Sequence, residues 1–249
     1  YGSKAGNGVI VIETKQLRSN QTLVSYSGSM TLEIPDLSSY NLCNALEKLE
    51  IERREKFYET QATNSEELVS MLNLYNSRLK RALEGESTYW LSKPLRTSIS
   101  NKHSLSVELG NKDLRSITTF SYNDTQGAMK GSDRRVVSGS MNLAYRRQKW
   151  QFRNIMNVSD MNSDDSPYGS FSTYTTINPY ESPYTDDGQL RRYLTDAINV
   201  KMGNPLYDAQ LNTKLTNSYF DFTDNFYAEY NLFEFLKLVS RIGINTKLT

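Results

Sequence analysis

Residues 22–34 read TLVSYSGSMTLEI, and their alternation decides the fold. Val24, Tyr26, Met30, Leu32 and Ile34 fall at even positions, with Ser25, Ser27, Ser29, Thr31 and Glu33 between them. Successive side chains of a strand point to opposite faces, so this is a strand with one apolar and one polar face. It is thirteen residues long. Globular strands usually run ~5–6 residues, whereas a strand that crosses a bilayer needs ~9–11.

The same pattern recurs along the chain. Over 102–110, Leu105, Val107 and Leu109 alternate with Ser104, Ser106 and Glu108. A less regular strand over 115–123 carries Phe120 and Tyr122 on one face. Val137, Met141, Leu143 and Tyr145 oppose Ser138, Ser140 and Asn142, and Trp150, Phe152, Met156 and Val158 oppose Gln151, Arg153 and Asn157. Further on, Phe220, Phe222, Phe226, Ala228 and Tyr230 oppose Asp221, Thr223, Asn225 and Glu229. Finally Leu236, Leu238, Ile242, Ile244 and Leu248 oppose Lys237, Arg241, Asn245 and Lys247. The sequence therefore predicts an all-β chain with helical loop insertions. It has about seven long antiparallel strands, as in a segment of a transmembrane β-barrel. Seven is fewer than the eight strands of the smallest common barrels, so the piece should be an incomplete barrel with open edges.

The connections alternate. Short turns are expected at 110–114, 146–149 and 233–235, and long links at 35–101, 124–135 and 159–214. Tight turns at one end and extended loops at the other is the layout of an outer-membrane barrel. The first link carries two amphipathic helices. One spans 38–58, with Leu42, Ala45, Leu46 and Leu49 on its stripe and Glu47, Glu50, Glu52 and Glu55 read as a solvated, salt-bridged face. The other begins at an Asn64 cap and ends before Gly85. The polar 186–202 segment reads as a short helix or a covering strap.

Bulk composition agrees with a β protein that has one wet face. Of 249 residues, 37% are hydrophobic, yet 17 are Tyr, 9 Phe and 2 Trp. No apolar run is long enough for a transmembrane helix, which says nothing against barrel strands. Twenty-nine basic against 28 acidic residues give a net charge of +1, so there is no electrostatic footprint for nucleic acid. Tyr145, Trp150, Phe152, Phe220, Phe222 and Tyr230 lie near strand ends, where membrane-interface aromatics are expected.

Catalytic and cofactor signatures are missing. The Gly-rich opening fails the G-x-x-x-x-G-K-[ST] phosphate-loop pattern. Asp160, Asn162 and Asp164 alternate like the start of a calcium loop. However, Asp165 stands where that loop needs Gly and Phe171 where it needs Glu, so only a weak calcium site is conceivable and no metal is expected. Cys43 is alone and is read as a small hydrophobe on a helix; His103 is alone and is read as structural or interfacial. The chain is not expected to be an enzyme, and no cofactor is implied. Tyr168, Phe171, Tyr174, Tyr180 and Tyr184 sit among Pro167, Pro179 and Pro183. They form a stiff aromatic loop suited either to stacking on a ligand or to packing on itself.

The opening, YGSKAGNGVIVIET over 1–14, reads as the middle of a domain: a glycine turn at Gly2, Gly6, Asn7 and Gly8 runs into a β-branched strand. The chain is therefore expected to begin inside a larger protein. This stretch resembles the plug-to-barrel junction of SusC/RagA-type TonB-dependent outer-membrane transporters. LEKLE over 46–50, NDTQGAMKGS over 123–132, SPYGSF over 166–171 and NPY over 178–180 resemble the same family's early barrel. The resemblance implies that 1–15 ends a plug domain and that 16–249 is the first part of a barrel whose long links face outside the cell. It also implies uptake of an oligosaccharide or peptide across a Gram-negative outer membrane. The partners so implied are a SusD-like surface lipoprotein as lid, outer-membrane lipid, and the TonB complex through a segment absent from this chain. The rival readings are a soluble or surface β-rich ligand-binding or adhesin module, and a scaffold that docks a partner through its helices.

Overall fold

The structure is a computed structural model and describes residues 21–194, 201–211, 213 and 215–249. The junction residues Gly2, Gly6, Asn7 and Gly8 lie outside the described residues. Strand β1 (Gln21–Glu33) is followed by helices α1 (Ala45–Arg54), α2 (Phe57–Thr60) and α3 (Ser65–Leu83) and a 3-10 turn at Trp90–Ser92. Then come β2 (Ser98–Gly110), β3 (Leu114–Gln126), β4 (Asp133–Arg147) and β5 (Trp150–Asp164). The last link holds α4 (Phe171–Thr175), a small hairpin of β6 (Tyr193–Leu194) and β7 (Met202–Gly203), and α5 (Pro205–Asp208); β8 (Thr216–Phe233) and β9 (Leu236–Leu248) close the chain.

Seven strands form one antiparallel sheet in the order β1-β2-β3-β4-β5-β8-β9, a plain meander whose two outer strands are edges among the described residues. The sheet is not closed. Its strands run from 13 to 18 residues, the lengths the alternation demanded. They also reach further into the long links than expected: those links shrink to 34–97, 127–132 and 165–215. Asp160, Asn162 and Asp164 consequently sit on β5 and not in a turn.

Register keeps the two faces separate across all seven strands. Tyr26 pairs with Leu105, Leu105 with Phe120, and Phe120 with Gly139; Gly139 pairs with Val158, Val158 with Phe222, and Phe222 with Thr246. On the opposite face a row of small polar groups runs Ser25, Ser106, Thr119, Ser140, Asn157, Thr223 and Asn245. Within it Ser106 Oγ and Thr119 Oγ1 are 3.1 Å apart. A one-residue slip in any strand would invert that strand's faces, so the hydrophobic pattern pins the register.

Two glycines on the apolar face are covered by neighbouring rings. Tyr26 folds over Gly28 to hydrogen-bond His103 Nδ1 at 2.6 Å, which gives His103 its structural role. Phe120 lies 3.6 Å from the position a Cβ on Gly139 would take. Such aromatic cover compensates for the packing a strand glycine lacks.

The buried core is elsewhere. The three long links interlock into a roof at one end of the sheet, and its helices pack on one another and leave both sheet faces bare. Ala45, Leu49, Tyr58, Met71, Ala82 and Tyr180 form one cluster, and Trp90, Leu91, Tyr174, Ile177, Leu194 and Leu206 a second. Helix α1 starts later than the periodicity suggested. Asn44 caps it by accepting from Glu47 N at 2.9 Å, while the Glu47 carboxylate accepts from Asn44 N. Cys43 therefore precedes the helix and is exposed. A left-handed Lys56 (φ 51°) separates α1 from α2. The Asn64 cap of α3 and the positive-φ Gly85 after it stand where the sequence placed them. Of the 186–202 segment, Tyr193 and Leu194 (β6) pair with Gly203 and Met202 (β7), and 195–200 lie outside the described residues.

The short 127–132 link is the keystone of the roof. Arg96 N donates to Ala128 O and Lys130 N to Pro94 O, tying it to the first link, and Ser166 Oγ donates to Lys130 O, tying it to the third. Gly131 has φ +75°, and a Cβ there would stand 2.6 Å from Pro167 Cδ. Gly131→Ala is expected to cost the left-handed penalty of about 1–2 kcal/mol plus displacement of Pro167. Limited proteolysis should show faster cleavage within 165–192, with strand content by far-UV circular dichroism unchanged. Gly85→Ala, with positive φ but open space around it, should lose only the backbone part.

Candidate functional site

Two regions carry functional chemistry: the roof and the bare faces of the sheet. The roof is cross-linked by a buried polar network. Arg78 is 3% exposed and donates from Nη2 to Glu181 Oε1 at 2.8 Å. Its Nη1 reaches Tyr58 Oη at 3.4 Å, and its guanidinium carbon lies 4.3 Å from the Tyr180 ring centre. Tyr58 and Tyr180 each donate to Glu52, at 2.8 and 2.9 Å, and Lys48 Nζ stands 3.6 Å from the same carboxylate. The network thus holds α1, α2 and α3 of the first link against 180–181 of the third. It also changes the reading of α1's acidic face. Glu50 is indeed solvated, bound by Arg53 and Arg54, whose hydrogen bonds hold its carboxyl well below the usual range, at about 2. Glu52, by contrast, is buried.

Removing one partner from a buried ion pair strands the other charge, a loss of about 3–5 kcal/mol. Arg78→Met is expected to destabilise the roof by that order, and Arg78→Met with Glu181→Gln by clearly less. Thermal unfolding followed by near-UV circular dichroism checks both. Alkali should act on the same place. Burial pushes the Tyr58 phenol up to about 12, and burial also raises Tyr174 and Tyr180. An unfolded tyrosine ionises near 10. A raised folded pKa stabilises fully below the unfolded value, so this contribution holds below about pH 10 and is lost as pH climbs through 12. Exposed tyrosines should ionise first, near pH 10, and the near-UV signal should be lost together with a later step of tyrosinate absorbance as pH approaches 12, with the strands still intact.

The five loop aromatics do not converge on one surface. Tyr174 and Tyr180 are buried in the two roof clusters. Tyr168 is half-buried, its ring 5.7 Å from Lys130 Nζ and its carbonyl accepting from Tyr174 Oη at 3.0 Å. Phe171 meets Tyr40 edge-on with centroids 6.1 Å apart. Tyr184 is exposed, on an isolated bridge to Leu190. Beside them, Lys48, Thr88, Tyr89 and Asn178 help line a hollow of about 270 Å³. Asp160, Asn162 and Asp164 share one side of β5, with Asp164 Oδ1 accepting from Thr216. Among the described residues no group of three or more metal-binding side chains converges.

The strand-end aromatics do share a face. Trp150 pairs with Tyr230, Tyr145 with Phe152, and Phe220 and Phe222 lie on the same side further up β8. The Trp150 and Tyr230 rings are 4.3 Å apart and those of Trp150 and Phe152 5.5 Å. Tyr230 and Phe220 are ten positions apart. At ~3.4 Å per residue and a ~40° tilt that spans ~25 Å, the height of the apolar band on an outer-membrane barrel. Between the two levels the face is apolar and uncovered: Met30 is 75% exposed and Ile242 58%. Asn154 and Asp224 interrupt the band and satisfy each other at 2.6 Å.

An open antiparallel meander of long two-faced strands, with its core in the loops at one end, is the architecture of a piece of β-barrel wall. The comparisons with known proteins agree. No family model matches the chain. Over 146 residues, 58% of this chain and 12% of the relative, it is 30% identical to the TonB-dependent receptor SusC of Bacteroides thetaiotaomicron. In fold it is similar to two solved structures, the RagAB peptide transporter and the RagAB peptide importer in its closed-closed state. Each has a TM-score of 0.70 and 16% identity, covering 98% and 99% of this chain and 30% of theirs. The chain spans less than a third of the length of each of these proteins, and the likeness to the two solved structures is one of fold. The relatives are named as a receptor and as transporters, which fits the expected absence of enzymatic activity.

Proposed function

We propose that this chain forms wall and external loops of an outer-membrane nutrient importer. Its apolar face meets lipid and its polar face lines the lumen. Residues 1–15 would close a plug domain and 16–249 begin the barrel. Energy would come from the TonB complex through a segment outside this chain. The roof would meet a SusD-like lipoprotein lid, and the cargo would be an oligosaccharide or a peptide. Of the loop aromatics, Tyr184 and the half-buried Tyr168 and Phe171 would touch cargo, whereas Tyr174 and Tyr180 are buried in the roof. A metal plays no part in this reading.

The observation that carries the proposal is the uncovered apolar face bounded by two aromatic levels ~25 Å apart. A soluble β module would have to bury that face, and the helices that could cover it pack on each other instead. In a Cys43→Ser background, Phe226→Cys and Asn225→Cys present neighbouring positions on opposite faces. In outer-membrane preparations a water-soluble maleimide should label Cys at 225 and spare Cys at 226, and detergent should abolish the difference. Equal labelling of both without detergent, or release of the protein by carbonate alone, would sink the membrane reading and leave the surface-module alternative.

A further inference from the structure

The polar face holds a cluster of cations that the roof and the apolar band leave unexplained. At the tight-turn end of the sheet, Lys112, Asp113, Arg115, Arg146, Gln151 and Arg153 help line a hollow of about 350 Å³. Arg146 and Arg153 project from neighbouring strands onto one face: Arg146 pairs with Gln151 and Arg153 with Tyr227.

Their nearest contacts are an amide and a ring, and the Glu229 carboxylate two strands over also attracts Arg146. Arg146 Nε donates to the buried Gln151 amide oxygen at 3.1 Å. Arg153 and Arg241 each stand with the guanidinium carbon 5.5 Å from the Tyr227 ring centre. Among the described residues none of Arg146, Arg153 and Arg241 forms an ion pair. Glu229, an acid on the same face, is engaged by Tyr227 Oη at 2.6 Å and Lys237 Nζ at 3.4 Å. Asp113 is the lone carboxylate among the residues lining the hollow.

A planar guanidinium presents paired donors that match a carboxylate, and several exposed ones on one wall can grip an anion together. A concave surface of one sign also raises the local concentration of the opposite charge. We propose that this hollow is an anion-binding station for a carboxylate-bearing solute, with Arg146 and Arg153 as its principal ligands and Arg241 supporting through Tyr227. The size suits a small dicarboxylate or the carboxylate end of a larger molecule. The proposal rests on the lumen-lining reading of the polar face and deepens it by naming the charge class of what that face handles.

Isothermal titration of the full detergent-purified chain with succinate, and with its uncharged diamide, tests this. Succinate should bind, more weakly as potassium chloride rises, and the diamide should not. Arg146→Gln with Arg153→Gln should lower succinate affinity at least tenfold. Arg153→Lys, which keeps the charge and the strand, should lose part of it. Arg134→Gln, on the polar face at the opposite end, should change nothing. Absence of succinate binding, equal binding of the diamide, or unchanged affinity in the double variant with native circular dichroism would overturn the station. The maleimide experiment reads the orientation of the faces independently. Succinate binding together with equal labelling at 225 and 226 would therefore keep the station and remove only the transporter reading.

Discussion

Every other feature of this protein follows from a sheet that has two chemically distinct faces and no second layer. In a soluble fold an apolar sheet face is buried against another sheet or a helix. Here seven strands present Tyr26, Met30, Phe120, Trp150, Phe226 and Ile242 to one side with none of the described residues layered across from them. The main-chain groups of the interior strands are satisfied by their neighbours, so the constraint is hydrophobic and not hydrogen-bonding. On the proposed reading, hydrocarbon is the environment that satisfies it. The two free edges, at β1 and β9, ask in the same way for further strands.

With the sheet lacking a core, the conventional core moved into the loops. The first and third links bring their apolar residues together in two clusters, and the Arg78 network then fixes which segments meet. An ion pair sealed from water contributes less to stability than to uniqueness, because any other arrangement strands a charge. In this roof it has a definite geometric consequence. Helices from one link and the Tyr180–Glu181 turn of another are held as a unit, and the 127–132 keystone ties that unit to the strand ends. Any ligand or lid that pushes on one link therefore pushes on all three.

The polar face behaves differently along its length. Toward the middle it is a carpet of Ser, Thr and Asn that offers weak, exchangeable hydrogen bonds and no net charge. Toward the tight turns it becomes strongly basic, with guanidiniums that find rings and amides instead of acids. Exposed guanidiniums crowded on one wall raise the local concentration of anions beside them.

Much of the architecture was legible in residue order. The period-two alternation determined the strands, their faces and their excess length, because a strand's side chains can point only two ways. Asn64 and Gly85 bounded α3 through cap chemistry that is local in sequence. The aromatics at 145, 150 and 152 share one face because a short turn sets the β4–β5 register, whereas 220, 222 and 230 join them because the apolar face of β8 must match that of β5. Tertiary structure alone decided the roof. Glu52 looked like one more exposed acid on a charged helix, and Tyr174 and Tyr180 looked like ligand-binding rings. Their burial depends on partners 103 and 128 positions away for Arg78–Glu181 and Glu52–Tyr180, distances over which no sequence period speaks. The basic hollow was equally invisible, because Arg146, Arg153 and Arg241 come together only once three separate strands are in register. Local chemistry set the elements. Contacts between links, and charges brought side by side by the sheet, set the sites.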